Sequence, residues 1–127
     1  MSNRAVISSP GAPSALGPYS QAVKVGNTVW LSGQIPLAAN TMELVEGDIS
    51  AQATQVFQNL AAVAEAAGCS LNNAVKINIS LTDLDDFAAV NEVMATFLSE
   101  PYPARACVQV AALPKGAAIE VEAILAL

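Results

Sequence analysis

Histidine is absent from this 127-residue sequence, which removes serine–histidine and cysteine–histidine nucleophilic systems together with the commonest metal ligand. Charge is also scarce: 13% of the residues are charged, against about 25% in ordinary soluble domains. The basic residues are Arg4, Lys24, Lys76, Arg105 and Lys115, set against 11 carboxylates for a net charge of −6. Nucleic-acid affinity comes largely from Lys and Arg on phosphates, so no nucleic-acid partner is expected. The two cysteines, Cys69 and Cys107, form no disulfide framework, CxxC pair or Cys/His cluster, and are read as free thiols without a metal. Neither a GxGxxG nor a P-loop pattern occurs, so a cofactor-free reaction is the economical reading. No apolar run reaches the ~18 residues of a membrane span, and the opening MSNRAVISSPGAPS has no secretory apolar stretch. A cytoplasmic protein without membrane attachment is expected.

Apolar residues, in contrast, make up 54% of the chain. The length suits one continuous core, so residues 1–127 are read as a single domain. With few charges to cover its surface, such a domain is expected to bury the apolar surplus against copies of itself.

Periodicity locates the elements. Residues 20–35, SQAVKVGNTVWLSGQI, are two β-rich runs around Gly26-Asn27, a dipeptide suited to a tight hairpin. The segment PLAANTMELVEGD reads as a connecting loop, with Asp48 placed to cap a helix. Over residues 49–67, Ile49, Ala53, Val56, Phe57, Leu60, Val63, Ala64 and Ala67 form one helical stripe, and Gly68 supplies the stop. Val75, Ile77, Ile79 and Leu81 alternate with polar neighbours, the period of a half-buried strand. A second helix is expected from about Asp83–Asp86 through Phe87, Val90, Met94, Phe97 and Leu98, ended by Pro101 and Pro103. Strands at residues 105–110 and 119–127 follow, separated by ALPKGA. The last is apolar on both faces and is expected to be central or covered at an interface. The order predicts an α+β layer with helices on one face of a mixed sheet.

Arg105 falls inside an otherwise neutral strand. A charge buried there needs a carboxylate partner, and the planar guanidinium fork suits one bidentately. That partner is either a ligand or Glu120 or Glu122 on a neighbouring strand. Glu120 and Glu122 share one strand face and offer acid–base chemistry, or are simply solvated. Cys107 has no His, neighbouring Lys or helix start to activate it, which argues against a nucleophile.

The segments GPYSQAV, SGQIPL and PARACVQVAALPKGAAIEVEA, with NLAAVAEAAGCSL and VKINISLTDLDDFAAVN between them, resemble the RidA/YjgF family over essentially the whole chain. The resemblance implies a chorismate-mutase-like α+β subunit, a mixed sheet of about six strands with two helices on one face, assembled as a homotrimer with clefts between subunits. It also implies hydrolysis of 2-iminopropanoate and 2-iminobutanoate to 2-keto acids and ammonia, protecting pyridoxal-phosphate enzymes from reactive enamines and imines. By the same resemblance Arg105 holds the substrate carboxylate, and the backbone near Cys107 and Gly33 meets the imine end. Glu120 positions or activates water, while Tyr19 and Asn91 line the cleft. Met94 stands where the family is expected to carry an aromatic residue, which bears on packing near the cleft. The competing readings are a regulatory trimer that holds a small keto acid without turnover, an RNA-cleaving protein, and a redox-activated chaperone. Acidity and the missing histidine oppose the second, and burial in a trimer accounts for the apolar surplus behind the third.

Overall fold

In the computed structural model, which describes residues 4–127, the chain forms strands β1 (Arg4–Ile7), β2 (Ala22–Val25) and β3 (Thr28–Gln34), helix α1 (Ile49–Ala66), strand β4 (Ala74–Leu81), helix α2 (Phe87–Phe97), and strands β5 (Ala104–Gln109) and β6 (Ile119–Ala126). The strands make one six-stranded sheet in the order β1-β2-β3-β6-β4-β5. β4 and β5 run parallel, as the intervening helix requires, and the other pairs are antiparallel. The mixed α+β sheet is therefore as expected from the sequence. The expected strand boundaries hold to within a residue or two, and the last strand is central. β1 was not anticipated: its four residues include three exposed side chains, so it has no buried alternation to read.

Local chemistry explains the element ends. The two-residue turn between Val25 and Thr28 places Gly26 at φ 60°, a left-handed first position natural to glycine. Asp48 Oδ1 accepts from the Ala51 N–H at 3.0 Å and caps α1. At the other end the Cys69 N–H donates to Ala64 O and the Gly68 N–H to Glu65 O, with Gly68 at φ 85°, which is a Schellman close. Asp83 caps a short 3-10 turn at Leu84–Asp86, and α2 starts only after it.

The core lies between the helices and one sheet face. Val56, Phe57, Leu60 and Val63 of α1 are fully buried with Ile77 and Leu81 of β4 and Ile119, Val121 and Leu125 of β6. Phe57 stacks on Phe97 of α2 with ring centroids 5.6 Å apart, tying the two helices into one layer. The opposite sheet face carries no helix, and Val6, Trp30 and Val108 on it are 68%, 53% and 52% exposed. No helix among the described residues is long and apolar enough to cross a membrane.

Candidate active site

Arg105 lies on the edge strand β5, in register with buried Ile77 of β4. It therefore points to the helix-bearing face. Its Nη1 donates to Asn91 Oδ1 and lies 3.9 Å from Met94 Sδ, while its Cζ sits 5.0 Å from the Phe87 ring centroid. Phe87, Asn91 and Met94 are spaced four and three residues apart, so one stripe of α2 holds the guanidinium. All three partners are neutral, and the group remains exposed on an open cleft of about 490 Å3 that Tyr102 and Pro103 also line. The expectation of a buried arginine is corrected here: β5 is at the sheet edge, and the charge, held by α2 on one side, is open to solvent on the other.

Glu120 belongs to the other face. Its β6 neighbours Ile119 and Val121 are buried under the helices, so the alternation of the strand turns Glu120 and Glu122 away from them. An ion pair between Arg105 and either glutamate is consequently not made within the subunit; Glu122 instead accepts from Asn78 Nδ2 at 3.2 Å. Glu120 is half-buried, and burial first, with the negative charge of Glu122 adding to it, pushes its carboxyl above the ordinary carboxylate range.

Gly33 lies where the β3–β6 register shifts. A Cβ there would meet Glu120 Cδ at 2.9 Å and Oε1 at 3.1 Å, so bare backbone is what lets the carboxylate approach this strand. Tyr19, 54% exposed, joins Gly33 and Glu120 around a second cleft of about 370 Å3, with Leu16, Ile35, Leu37 and Met42 on its apolar wall.

Buried amides fix the loops of this cleft. Gln21 Nε2 donates to Ser9 O at 3.1 Å and Pro13 O at 2.8 Å, and its Oε1 accepts from the Ser9 N–H at 2.6 Å. Asn59 of α1 donates to Leu37 O at 3.0 Å. Cys107 shares the Arg105 side of β5, opposite Ile79, and lines neither cleft. Burial raises its thiol pKa, an effect Arg105 only partly offsets, so the sulfur stays protonated near neutrality and is a poor nucleophile.

The structure thus brings Tyr19, Gly33 and Glu120 together, brings Asn91 and Arg105 together, and separates the two groups by the thickness of the sheet. Phe87, Gln21 and Asn59 were not singled out from the sequence. Asn59 had one legible sign, a polar residue beside the apolar stripe of α1. Phe87 was read as a core position, and its second role over a cation has no sequence signature. Among the described residues no cluster of His, Cys, Asp and Glu is placed to hold a metal.

A small chain of this topology, with an arginine-lined cleft on one face and a glutamate-lined cleft on the other, has clear relatives. Residues 9–127 match the family model described as Endoribonuclease L-PSP, and the chain belongs to that family, the RidA/YjgF family of the sequence resemblance. It is 50% identical to the 2-iminobutanoate/2-iminopropanoate deaminase of Dermatophagoides farinae over 98% of each chain. Among solved structures it superposes on RidA of the Antarctic bacterium Psychrobacter sp. PAMC 21119 with a TM-score of 0.93 and 62% identity, covering 97% of this chain and 99% of the other. It also superposes on Escherichia coli TdcF with bound serine, with a TM-score of 0.91 and 41% identity over 97% and 98% of the two chains.

Proposed function

We propose that the chain is a hydrolytic deaminase that converts 2-iminobutanoate and 2-iminopropanoate to the 2-keto acids and ammonia without metal or organic cofactor. The observation that carries this reading is 50% identity, sustained over 98% of both chains, to a deaminase of that name. The serine bound to TdcF supports a site for small amino-acid-like carboxylates.

The chemistry makes modest demands. Water adds to the C=N carbon, its proton passes to nitrogen, and the resulting carbinolamine expels ammonia as the carbonyl forms. The substrate is already electrophilic, so orientation and delivery of water supply most of the rate. Arg105, held by Asn91 and braced on Phe87, grips the carboxylate through its remaining N–H donors. Backbone groups near Cys107 and Gly33 meet the imine end, and Tyr19 lines the cleft with a phenol able to donate or accept. Glu120, with its proton affinity raised by burial, positions the water and exchanges protons with it.

These roles need the two half-sites to meet. A homotrimer of the chorismate-mutase-like kind does this, setting the Arg105 cleft of one subunit against the Glu120 cleft of its neighbour and covering the apolar face around Trp30 and Val108. In a cytoplasmic setting, the product of this activity is protection: imines are removed before they or their enamine precursors inactivate pyridoxal-phosphate enzymes.

The test generates 2-iminobutanoate in place from threonine with a pyridoxal-phosphate dehydratase and follows keto-acid formation. Acceleration by the chain is expected. Identical rates with and without it would instead favour a non-catalytic keto-acid-binding trimer.

A further inference from the structure

Among the described residues, the non-glycine residues with left-handed backbone are Met42 (φ 60°) and Lys115 (φ 58°), and both line the Glu120 cleft. Side chains adopt this conformation rarely and at an energetic cost, and such positions concentrate at functional sites. Met42 is the more informative of the two because its turn does not need it. The turn closes without the Met42 side chain: the Met42 N–H donates to Ala38 O at 2.8 Å, the Ala38 N–H to Glu43 O at 2.9 Å, the Val45 N–H to Pro36 O at 3.0 Å, and the Glu43 N–H to Thr41 Oγ1 at 3.3 Å. Leu37 and Leu44 bridge beneath it. Glycine would meet every one of those demands without steric penalty.

What methionine adds is a long, flexible apolar side chain on the wall already built by Leu16, Ile35 and Leu37. A thioether on rotatable bonds adapts to side chains of different length better than a branched residue does. Glu120 lines the same cleft, and its carboxylate, when ionised, disfavours an acidic substrate side chain.

We propose that Met42 is a specificity-determining residue that contacts the side chain of the imino acid and tunes the site toward unbranched apolar side chains longer than methyl. This rests on the deaminase reading above and names the part of the cleft that selects the substrate.

The experiment compares kcat/KM for 2-iminopropanoate with that for the imino acids of norvaline and methionine, each released in place by an amino-acid oxidase, in wild type, Met42→Gly and Met42→Gln. In Met42→Gly the longer imino acids should lose about fivefold, the scale of one buried methylene contact, while 2-iminopropanoate changes less than about twofold. The thermal midpoint should stay within about 3 °C, since relief of the backbone offsets the lost packing. Met42→Gln, which keeps the length and the backbone cost but ends in a polar group, should lose the same preference. An active Met42→Gly enzyme with an unchanged ratio between substrates would overturn the proposal, as would a uniform loss accompanied by a large drop in thermal midpoint. A wild-type protein inactive on every imino acid would overturn the deaminase reading itself, so the two failures are distinguishable.

Discussion

The Arg105 and Glu120 regions differ in nearly every physical respect. Arg105 sits on an edge strand, exposed, held from one side by a stripe of α2 and neutral in its surroundings. Glu120 sits on a central strand, half-buried against the backbone of Gly33 and under the negative field of Glu122. One half is built to keep a charge available to a ligand, the other to make a charge uncomfortable. The difference matches the two roles proposed for them: recognition of an anion needs an ionised group with free donors, whereas proton exchange needs a group whose pKa has moved toward the working pH. The two lie on opposite faces of the sheet and do not meet within one subunit.

Removing the recognition half should have the largest effect. Arg105→Ala is expected to lower kcat/KM for 2-iminobutanoate about 100-fold, the scale of a lost charge-assisted bond pair. Its thermal midpoint should barely move, because the residue is exposed at a sheet edge. Arg105→Lys should recover only part of the activity, since an ammonium does not reproduce the fork. A steady-state assay beside a melting curve separates these outcomes, and near-normal activity in Arg105→Ala would erase the contrast between the halves.

Removing the proton-exchange half should give a different signature. Glu120→Gln is expected to lower kcat about 100-fold and to abolish the acid limb of the pH–rate profile, which in wild type should lie above the ordinary range for a glutamate. The sign of the stability effect follows from the same shift. A folded-state pKa raised above the unfolded value means the native state binds the proton more tightly. The ionised group therefore destabilises the fold above the raised pKa, and that penalty disappears as pH falls through the raised value toward the ordinary glutamate range. Glu120→Gln should thus be at least as stable as wild type at neutral pH, read by denaturant melts across pH, and a variant less stable there would contradict the assignment.

Gly33→Ala probes how closely the Glu120 half is fitted. The new methyl would meet the far end of a flexible side chain at 2.9 Å, so the fold gives way by displacing the carboxylate. Activity should fall about tenfold while the melting midpoint changes little, as expected of groups held within about 0.5 Å of productive geometry. The smallest effect is expected at Cys107: Cys107→Ser should retain activity within about twofold, because a protonated thiol outside both clefts has backbone rather than sulfur to offer. Near-complete loss in a folded Cys107→Ser protein would restore the thiol as a participant.

The contrast between the halves also marks what could be read from the residues alone. The helix of Ile49–Ala66 and the strand of Ala74–Leu81 were legible because each buries one face, so period and burial coincide. β1 was not, since its exposed residues carry no such period. In β5 the strand was legible but its edge position was not: Ala104, Ala106 and Val108 are exposed in the subunit, so an apolar run that reads as buried faces no partner in its own chain. Arg105 and Glu120 were both named as candidates from the sequence, yet their placement on opposite faces depends on register between β4, β5 and β6, which spans distant segments and leaves no local mark. Met42 was invisible for the opposite reason, as its left-handed backbone occurs at a residue type that does not announce it.

The central claim is that a working site takes Arg105 from one subunit and Glu120 from another, and subunit mixing tests it most directly. Inactive Arg105→Ala and Glu120→Gln proteins would be exchanged in equal amounts, with exchange verified by native mass spectrometry, and assayed on 2-iminobutanoate. Random assembly gives both intact halves to about one site in four, so recovery to about a quarter of wild-type activity is predicted. Mixed trimers that form and remain inactive would contradict it.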